Sequence, residues 1–300
     1  MSPFLEVKSL KKSFKGKPAV DGLSFSLARG ECLALLGANG AGKTTTIRML
    51  YGFQTQEEGE IVYEGKNFSE NKSTIKRMLG VCTQEDNLDH DFTVRRNMEI
   101  YASYFNLSKN EVQLRINELL ELVELKEKEN SDIRELSGGM KKRLQIVRTL
   151  LHKPTALFLD EPTTGLDPEA RRSVWEVINR LKEKENLAII LTTHYMDEAE
   201  KLSDKIILIK NGKKILEGSW LNLEREYFRD KILVTQSDIE IERWATSHNI
   251  QFFKILDEIH IDASVTQREM FFTNFPETVA GVRPPTLEDL YMKVSAISIK

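Results

Sequence analysis

Long apolar runs are missing from this chain. No uninterrupted stretch exceeds five residues, at Cys32 to Leu36 and Leu187 to Leu191, whereas a bilayer-spanning helix needs roughly 18 to 20. The chain is therefore not expected to cross a membrane by itself. The opening MSPFLEVKSLKKSF lacks the apolar core and small-residue cleavage site of a secretory signal, so none is predicted. Cysteine is scarce. Cys32 and Cys82 are the only two, each inside a short apolar segment, which argues against a disulfide framework and for reduced, cytosolic thiols. Excess positive charge is also missing, since 43 Lys and Arg face 46 Asp and Glu for a net charge of −3. No nucleic-acid partner is expected on that ground. Internal repeats and low-complexity tracts are absent, and charge runs such as ELKEKEN (Glu124 to Asn130) read as solvated helix faces.

The 300 residues, 40% of them hydrophobic, suffice for one large domain or two unequal ones. Short apolar runs recur in the first two thirds: CLALLG, ALFLDE, LAIILTTH and KIILIK. Flanked by Gly, Asp or Thr and separated by helical patterns, they predict buried strands of an α/β sheet. KIILIKNGKKILEG predicts a hairpin, because Asn211-Gly212 supplies two positive-φ residues. FLEVKSL and LSFSLA alternate and predict an antiparallel layer near the N-terminus. From about residue 91 to 152 the pattern turns helical, with Val112, Ile116, Leu119, Leu120 and Val123 on one face. The expected organisation is a large α/β domain over residues 1–220, including that helical subdomain, and a small α+β appendage over 221–300. In the appendage, SDIEIERWATSHN predicts a Ser- or Asp-capped helix, KILVTQ and IHIDAS strands, and the segment after RPPT a last helix.

The strongest chemical signal is G-x-x-x-x-G-K-T, formed by Gly37, Ala38, Asn39, Gly40, Ala41, Gly42, Lys43 and Thr44 and followed by Thr45. At average residue usage the bare pattern arises by chance in on the order of one chain per hundred of this length, and its strand–loop–helix setting makes chance rarer. Such a loop wraps phosphates with backbone N–H groups, while Lys43 reaches the β- and γ-phosphates and Thr44 offers a hydroxyl to Mg²⁺. In TALFLDEPTTGLDP, four apolar residues carry Asp160 to a strand end, where its carboxylate can hold Mg²⁺. Glu161 beside it can orient and deprotonate an attacking water. Gln84 and His194 also follow short apolar runs, which places Gln84 near the metal and the γ-phosphate and His194 at the γ-phosphate. The other histidines, His90, His152, His248 and His260, read as surface or core residues. With no phosphate acceptor in this set, hydrolysis of a nucleoside triphosphate is the expected chemistry. ELSGGMKKR (Glu135 to Arg143) reads as a second anion-binding helix start. Ser137 can cap it, Met140, Leu144, Val147 and Leu151 form its apolar face, and the charges of MKKR are expected on its exposed face.

GANGAGKTT, Gln84, LSGGMKKR, LFLDEP, GLD and His194 occur in the order found in ATP-binding cassette (ABC) ATPases, and the chain resembles that family from about Leu5 to Gly218. The resemblance implies a P-loop NTPase core with an antiparallel β layer and a helical subdomain, with ATP and Mg²⁺ bound. It implies that Phe14 stacks on adenine. It further implies a head-to-tail dimer around two ATP, with Ser137, Gly138 and Gly139 of one subunit facing the γ-phosphate held by the other and Asp167 opposite the partner's phosphate loop. GVCTQEDNLDHDFTVRRNMEIYASYF and VRPPTLEDLYMKVS look like the exporter ATPases that include the nodulation-factor and daunorubicin-type systems. Those work with a separate integral-membrane permease of the ABC-2 type, here expected to be contacted through about Gln84 to Val94, which would hold the chain at the cytoplasmic face of the membrane. An importer ATPase fits the cassette equally well, and the PPTLEDLYMK ending argues against it. A soluble ABC protein acting on nucleic acid or ribosomes is disfavoured by the single phosphate loop and the lack of a coiled-coil heptad run.

Overall fold

The computed structural model describes residues 3–297. The chain divides into two compact units, Met1–Glu217 and Gly218–Lys300.

The first unit is built on a six-stranded sheet in the order Lys213–Gly218, Lys205–Lys210, Cys32–Leu36, Ala188–Thr193, Ala156–Asp160, Leu79–Cys82. The three central strands are buried at every residue, which is why they read as unbroken apolar runs rather than alternating ones. Their parallel register pairs Leu36 with Thr193, Asp160 with Thr192 and Cys82 with Leu159. Four strands therefore end level with one another, and the chain leaves them at Gly37, Glu161, His194 and Thr83 along one edge. The hairpin expected at Asn211-Gly212 is present, with φ of 51° and 76°.

A second, four-stranded sheet runs Lys17–Leu27, Leu5–Phe14, Glu58–Tyr63, Lys66–Asn67, with antiparallel pairing throughout. The helix Lys43–Leu50 shares its core with both sheets: Ile47, Met49 and Leu50 cluster with Leu5, Val7, Leu33 and Leu35. Each such fully buried side chain contributes about 1.5–3 kcal/mol, so the helix behind the glycine loop is held on two sides.

The helical block comprises Val94–Ala102, Lys109–Leu122 and Gly138–Arg148. Thr93 caps the first and a Ser108–Glu111 capping box starts the second. Ile116, Leu119, Leu120 and Val123 are fully buried, as their spacing predicted. One expectation is overturned here for two of its three charges: Lys142 and Arg143 of MKKR do not lie on the exposed face of their helix. Lys142 is 8% exposed and donates to the carbonyl of Thr83 at 3.0 Å, and Arg143 donates to the carbonyl of Val123 at 2.9 Å. Carbonyls of two neighbouring segments need donors on that side, and the long Lys and Arg stems can reach them while lying along apolar surface.

The second unit carries a four-stranded antiparallel sheet in the order Gln251–Ile255, Glu258–Ala263, Lys231–Gln236, Ala280–Arg283. Its helices are Trp220–Tyr227, Ile239–Ser247, Val265–Asn274 and Leu287–Ile297. Asp238 is the cap of the second, accepting from Glu240 N. On Glu258–Ala263 the residues alternate. Ile259, Ile261 and Ala263 join the core around Trp244 and Phe271, while His260 and Asp262 meet Asp289 and Lys293, four residues apart on the last helix, at 3.0 and 2.7 Å.

Asp289 is fully buried and also receives both guanidinium arms of Arg283 and the N–H and hydroxyl of Thr286. Burial alone would raise its carboxyl pKa, but the bonds from His260, Arg283 and Thr286 outweigh it and hold the value well below the ordinary 3.8. A carboxyl depressed in the folded state adds stability above its unfolded value and loses that contribution as pH falls through the folded one. Asp289→Asn should therefore cost on the order of 2 kcal/mol at neutral pH, read as faster hydrogen exchange in Glu258–Ala263. The difference from the parent protein should vanish in strong acid.

Candidate active site

The level strand ends frame a cavity of about 610 Å³ lined by Ala19, Asn39, Gly40, Gly42, Lys43, Thr44, Thr45, Gln84, Glu161, Thr164 and His194. The glycine loop forms one wall. At Gly42 φ is +109° and an added Cβ would lie 2.3 Å from the carbonyl of Ala19; at Gly37 it would lie 2.3 Å from that of Ile209. Neither position can carry a side chain. Lys43 Nζ is buried, donating to the carbonyls of Gly37 at 2.8 Å and Ala38 at 3.2 Å. Burial lowers its pKa, and Glu161, whose Oε1 lies 3.6 Å away, opposes the shift.

Asp160 Oδ1 accepts from the Thr192 hydroxyl at 2.7 Å and the Thr44 hydroxyl at 3.2 Å. Thr44 and Asp160 thus present adjacent hard oxygens, Thr44 in the cavity lining and Asp160 buried outside it. Among the described residues no cluster of three or more His, Cys, Asp or Glu could hold a metal ion by itself. One carboxylate, one hydroxyl and the Gln84 amide suit Mg²⁺, which keeps waters and takes its remaining ligands from phosphates.

Glu161 adopts φ of 48°, a left-handed conformation that costs a non-glycine residue on the order of 1 kcal/mol or more. Its N–H is held by the Thr192 hydroxyl at 3.0 Å and carbonyl at 3.1 Å. Its carboxylate accepts from the Thr164 hydroxyl at 2.9 Å and lies 3.4 Å from His194 Nδ1. The carboxylate is thereby aimed into the cavity between Lys43 and His194.

Phe14 lies outside that lining. It is 44% exposed, on the same hairpin as Ala19. Ser137 and Gly138 are exposed and also outside it. Ser137 Oγ accepts from Met140 N at 3.3 Å, so the cap forms, and Gly139 packs on Ala170, where a Cβ would come within 2.9 Å. Asp167 caps the helix Pro168–Glu185 through the N–H groups of Glu169 and Ala170. Gly37, Ala38 and Ala41 belong to the loop but not to the lining.

Sequence reasoning missed Thr192 and Thr164, which aim the two carboxylates, and a polar stripe on the Gly138–Arg148 helix. Along it Lys142 binds Thr83, Gln145 Nε2 donates to Asp86 Oδ1 at 2.7 Å, and Arg148 donates to the Asn87 carbonyl at 3.1 Å. The segment after Gln84 is thus tied to the helix that Ser137 caps. The signal was present as polar residues three apart at 142, 145 and 148, one row along the helix.

A model of the ABC transporter family matches residues 20–164. Nod factor export ATP-binding protein I of Rhizobium sp. (strain N33) is 38% identical over 304 residues, covering 97% of this chain and 96% of that protein. This chain belongs to the ABC transporter ATPases. The protein of the same name from Ralstonia nicotianae is 45% identical over 217 residues, covering 72% of this chain and 67% of the relative. Among solved structures, cbiO1 of Clostridium perfringens, part of the ABC transporter complex cbiONQ, is similar with a TM-score of 0.69 at 26% identity, over 75% of this chain and 94% of that one. As an ABC ATPase the chain binds and hydrolyses ATP. Among its described residues no helix is long and apolar enough to cross a membrane.

Proposed function

We propose that this ABC ATPase powers an exporter: two copies close head-to-tail around two ATP and drive a separate membrane permease of the ABC-2 type from the cytoplasmic face. The observation that carries the dimer is the position of Ser137 and Gly138. They begin a capped helix with free N–H groups, a ready anion site, yet they are exposed and do not line their own chain's cavity. A second copy turned head-to-tail supplies the missing phosphate. Export as the direction is supported by the relatives' names and by their match along nearly the whole chain.

In this reading the glycine loop and Lys43 take the β- and γ-phosphates, and Phe14 stacks on adenine. Thr44, Asp160 and Gln84 hold Mg²⁺, which neutralises charge on the bridging phosphate oxygens. Glu161 orients a water in line with the γ-phosphorus and accepts its proton. His194 donates to a γ-phosphate oxygen. Ser137, Gly138 and Gly139 of the other subunit close the site, and Asp167 sits across the dimer from the phosphate loop. The permease meets the surface from Gln84 to about Val94, which the buried Lys142, Gln145 and Arg148 connect to the Ser137 helix.

Affinity purification from native membranes should recover an integral-membrane protein with about six spans. Disturbing the exposed part of that surface with His90→Glu should release it while leaving the ATPase folded. Recovery of the ATPase alone from membranes and cytosol would count against the permease.

A further inference from the structure

One turn past His194, Glu198 lies on the short helix Met196–Leu202 and is completely buried. Its Oε1 accepts from the Thr163 hydroxyl at 2.7 Å and from the Trp175 indole N–H at 3.0 Å. Its Oε2 makes no hydrogen bond of ordinary geometry, and the Thr193 hydroxyl is the further donor acting on this carboxyl. Burial is the largest influence on this carboxyl and pushes its pKa up. A buried acid with one oxygen so poorly satisfied is costly, and nothing in the mechanism above uses it.

Its neighbours suggest what it does. Thr163 and Thr164 are consecutive, and their hydroxyls go opposite ways: Thr163 to Glu198, Thr164 to the Glu161 carboxylate at 2.9 Å. The same face of the Pro168–Glu185 helix that supplies Trp175 also places Arg171 4.0 Å over the Tyr195 ring, beside His194. Glu198 thus joins three pieces: the loop that carries Glu161, the helix that Asp167 caps, and the segment that carries His194.

We propose that Glu198 is a positioning residue for hydrolysis, fixing the Glu161 carboxylate relative to His194 through Thr163 and Thr164. Without Oε1, the Thr163 hydroxyl and the Trp175 N–H lose their shared acceptor, and the loop is free to settle elsewhere. Displacements of about 1 Å at a reacting group cost about a hundredfold in rate. The inference rests on the assignment of Glu161 as the water activator.

The test is steady-state ATP hydrolysis by the full chain. Glu198→Gln keeps the acceptor oxygen without the charge and should stay within about threefold of the parent in kcat. Glu198→Leu removes it and should lower kcat about tenfold or more, with KM for ATP changing less than about threefold, the pattern of an interaction needed mainly in the transition state. Thr163→Val, nearly isosteric and less exposed to a folding failure, should reproduce that loss. Combining Glu198→Leu with Thr164→Val should cost less than the product of the two separate losses, because both act on one carboxylate. Unchanged kcat in both Glu198→Leu and Thr163→Val, or fully multiplicative losses, would overturn the proposal. If Glu161→Gln itself keeps turning over, the underlying assignment fails instead; if it is dead while Glu198→Leu is active, only the positioning role fails.

Discussion

Glu161→Gln should leave ATP binding intact, reduce turnover by at least a hundredfold and trap a closed dimer. The amide keeps the shape of the side chain and its acceptor oxygen for Thr164, so the loop geometry built on Thr192 and Thr164 survives. What it loses is the ability to take a proton, which is worth about 10²–10⁴-fold in general-base catalysis. The glycine loop and Lys43, which the proposal assigns to the phosphates, keep their own geometry: the change removes the charge 3.6 Å from Lys43 Nζ but not the Gly37 and Ala38 carbonyls that hold the ammonium. ATP then holds the subunits together because the reaction that would release them no longer runs. Size-exclusion chromatography with light scattering should give a dimer with Mg-ATP and a monomer without it. Near-normal turnover would remove Glu161 from the base role.

The second large effect concerns the composite site. Ser137→Arg places a bulky cation at an exposed helix start, outside the lining of its own chain's cavity. It should bind ATP normally and hydrolyse almost none. Lys43→Ala removes the buried ammonium beneath the glycine loop and should weaken nucleotide binding itself. Mixed together, the two inactive proteins should recover activity. A mixed dimer has one site with both partners' lesions and one with neither, so an equimolar mixture of freely exchanging, independent sites should reach roughly a quarter of the parent rate. Sites formed within single chains would recover nothing.

Much of this was legible in the residues because the P-loop architecture is written in short, contiguous signals. Unbroken apolar pentamers flanked by Gly, Asp or Thr read as strands covered on both faces, and glycines at 37 and 42 stand where backbone carbonyls leave no room for a Cβ. The second unit was harder to read. Gln251–Ile255 and Ala280–Arg283 are short edge strands, the latter carrying a glycine, and neither has the length or alternation that announces a strand. MKKR misled for a different reason. Charge alone predicts solvent, but whether a lysine is buried depends on which carbonyls lie across from it, and Thr83 is 59 residues away in the chain.

The sequence by itself determined the family and the chemistry it implies: a glycine loop of the P-loop pattern, an adjacent pair of acids after a buried strand, and a Ser-capped helix start. Those depend on local geometry, because φ, helix capping and strand ends are properties of a few consecutive residues. Only the tertiary structure decided how the groups are aimed. Thr192 lies on a neighbouring strand from the two acids it holds, and Glu198 stands thirty-five residues from the hydroxyl it accepts. Such contacts depend on strand order and helix packing, and the long-range burial that sets them leaves no mark in the spacing of the residues involved.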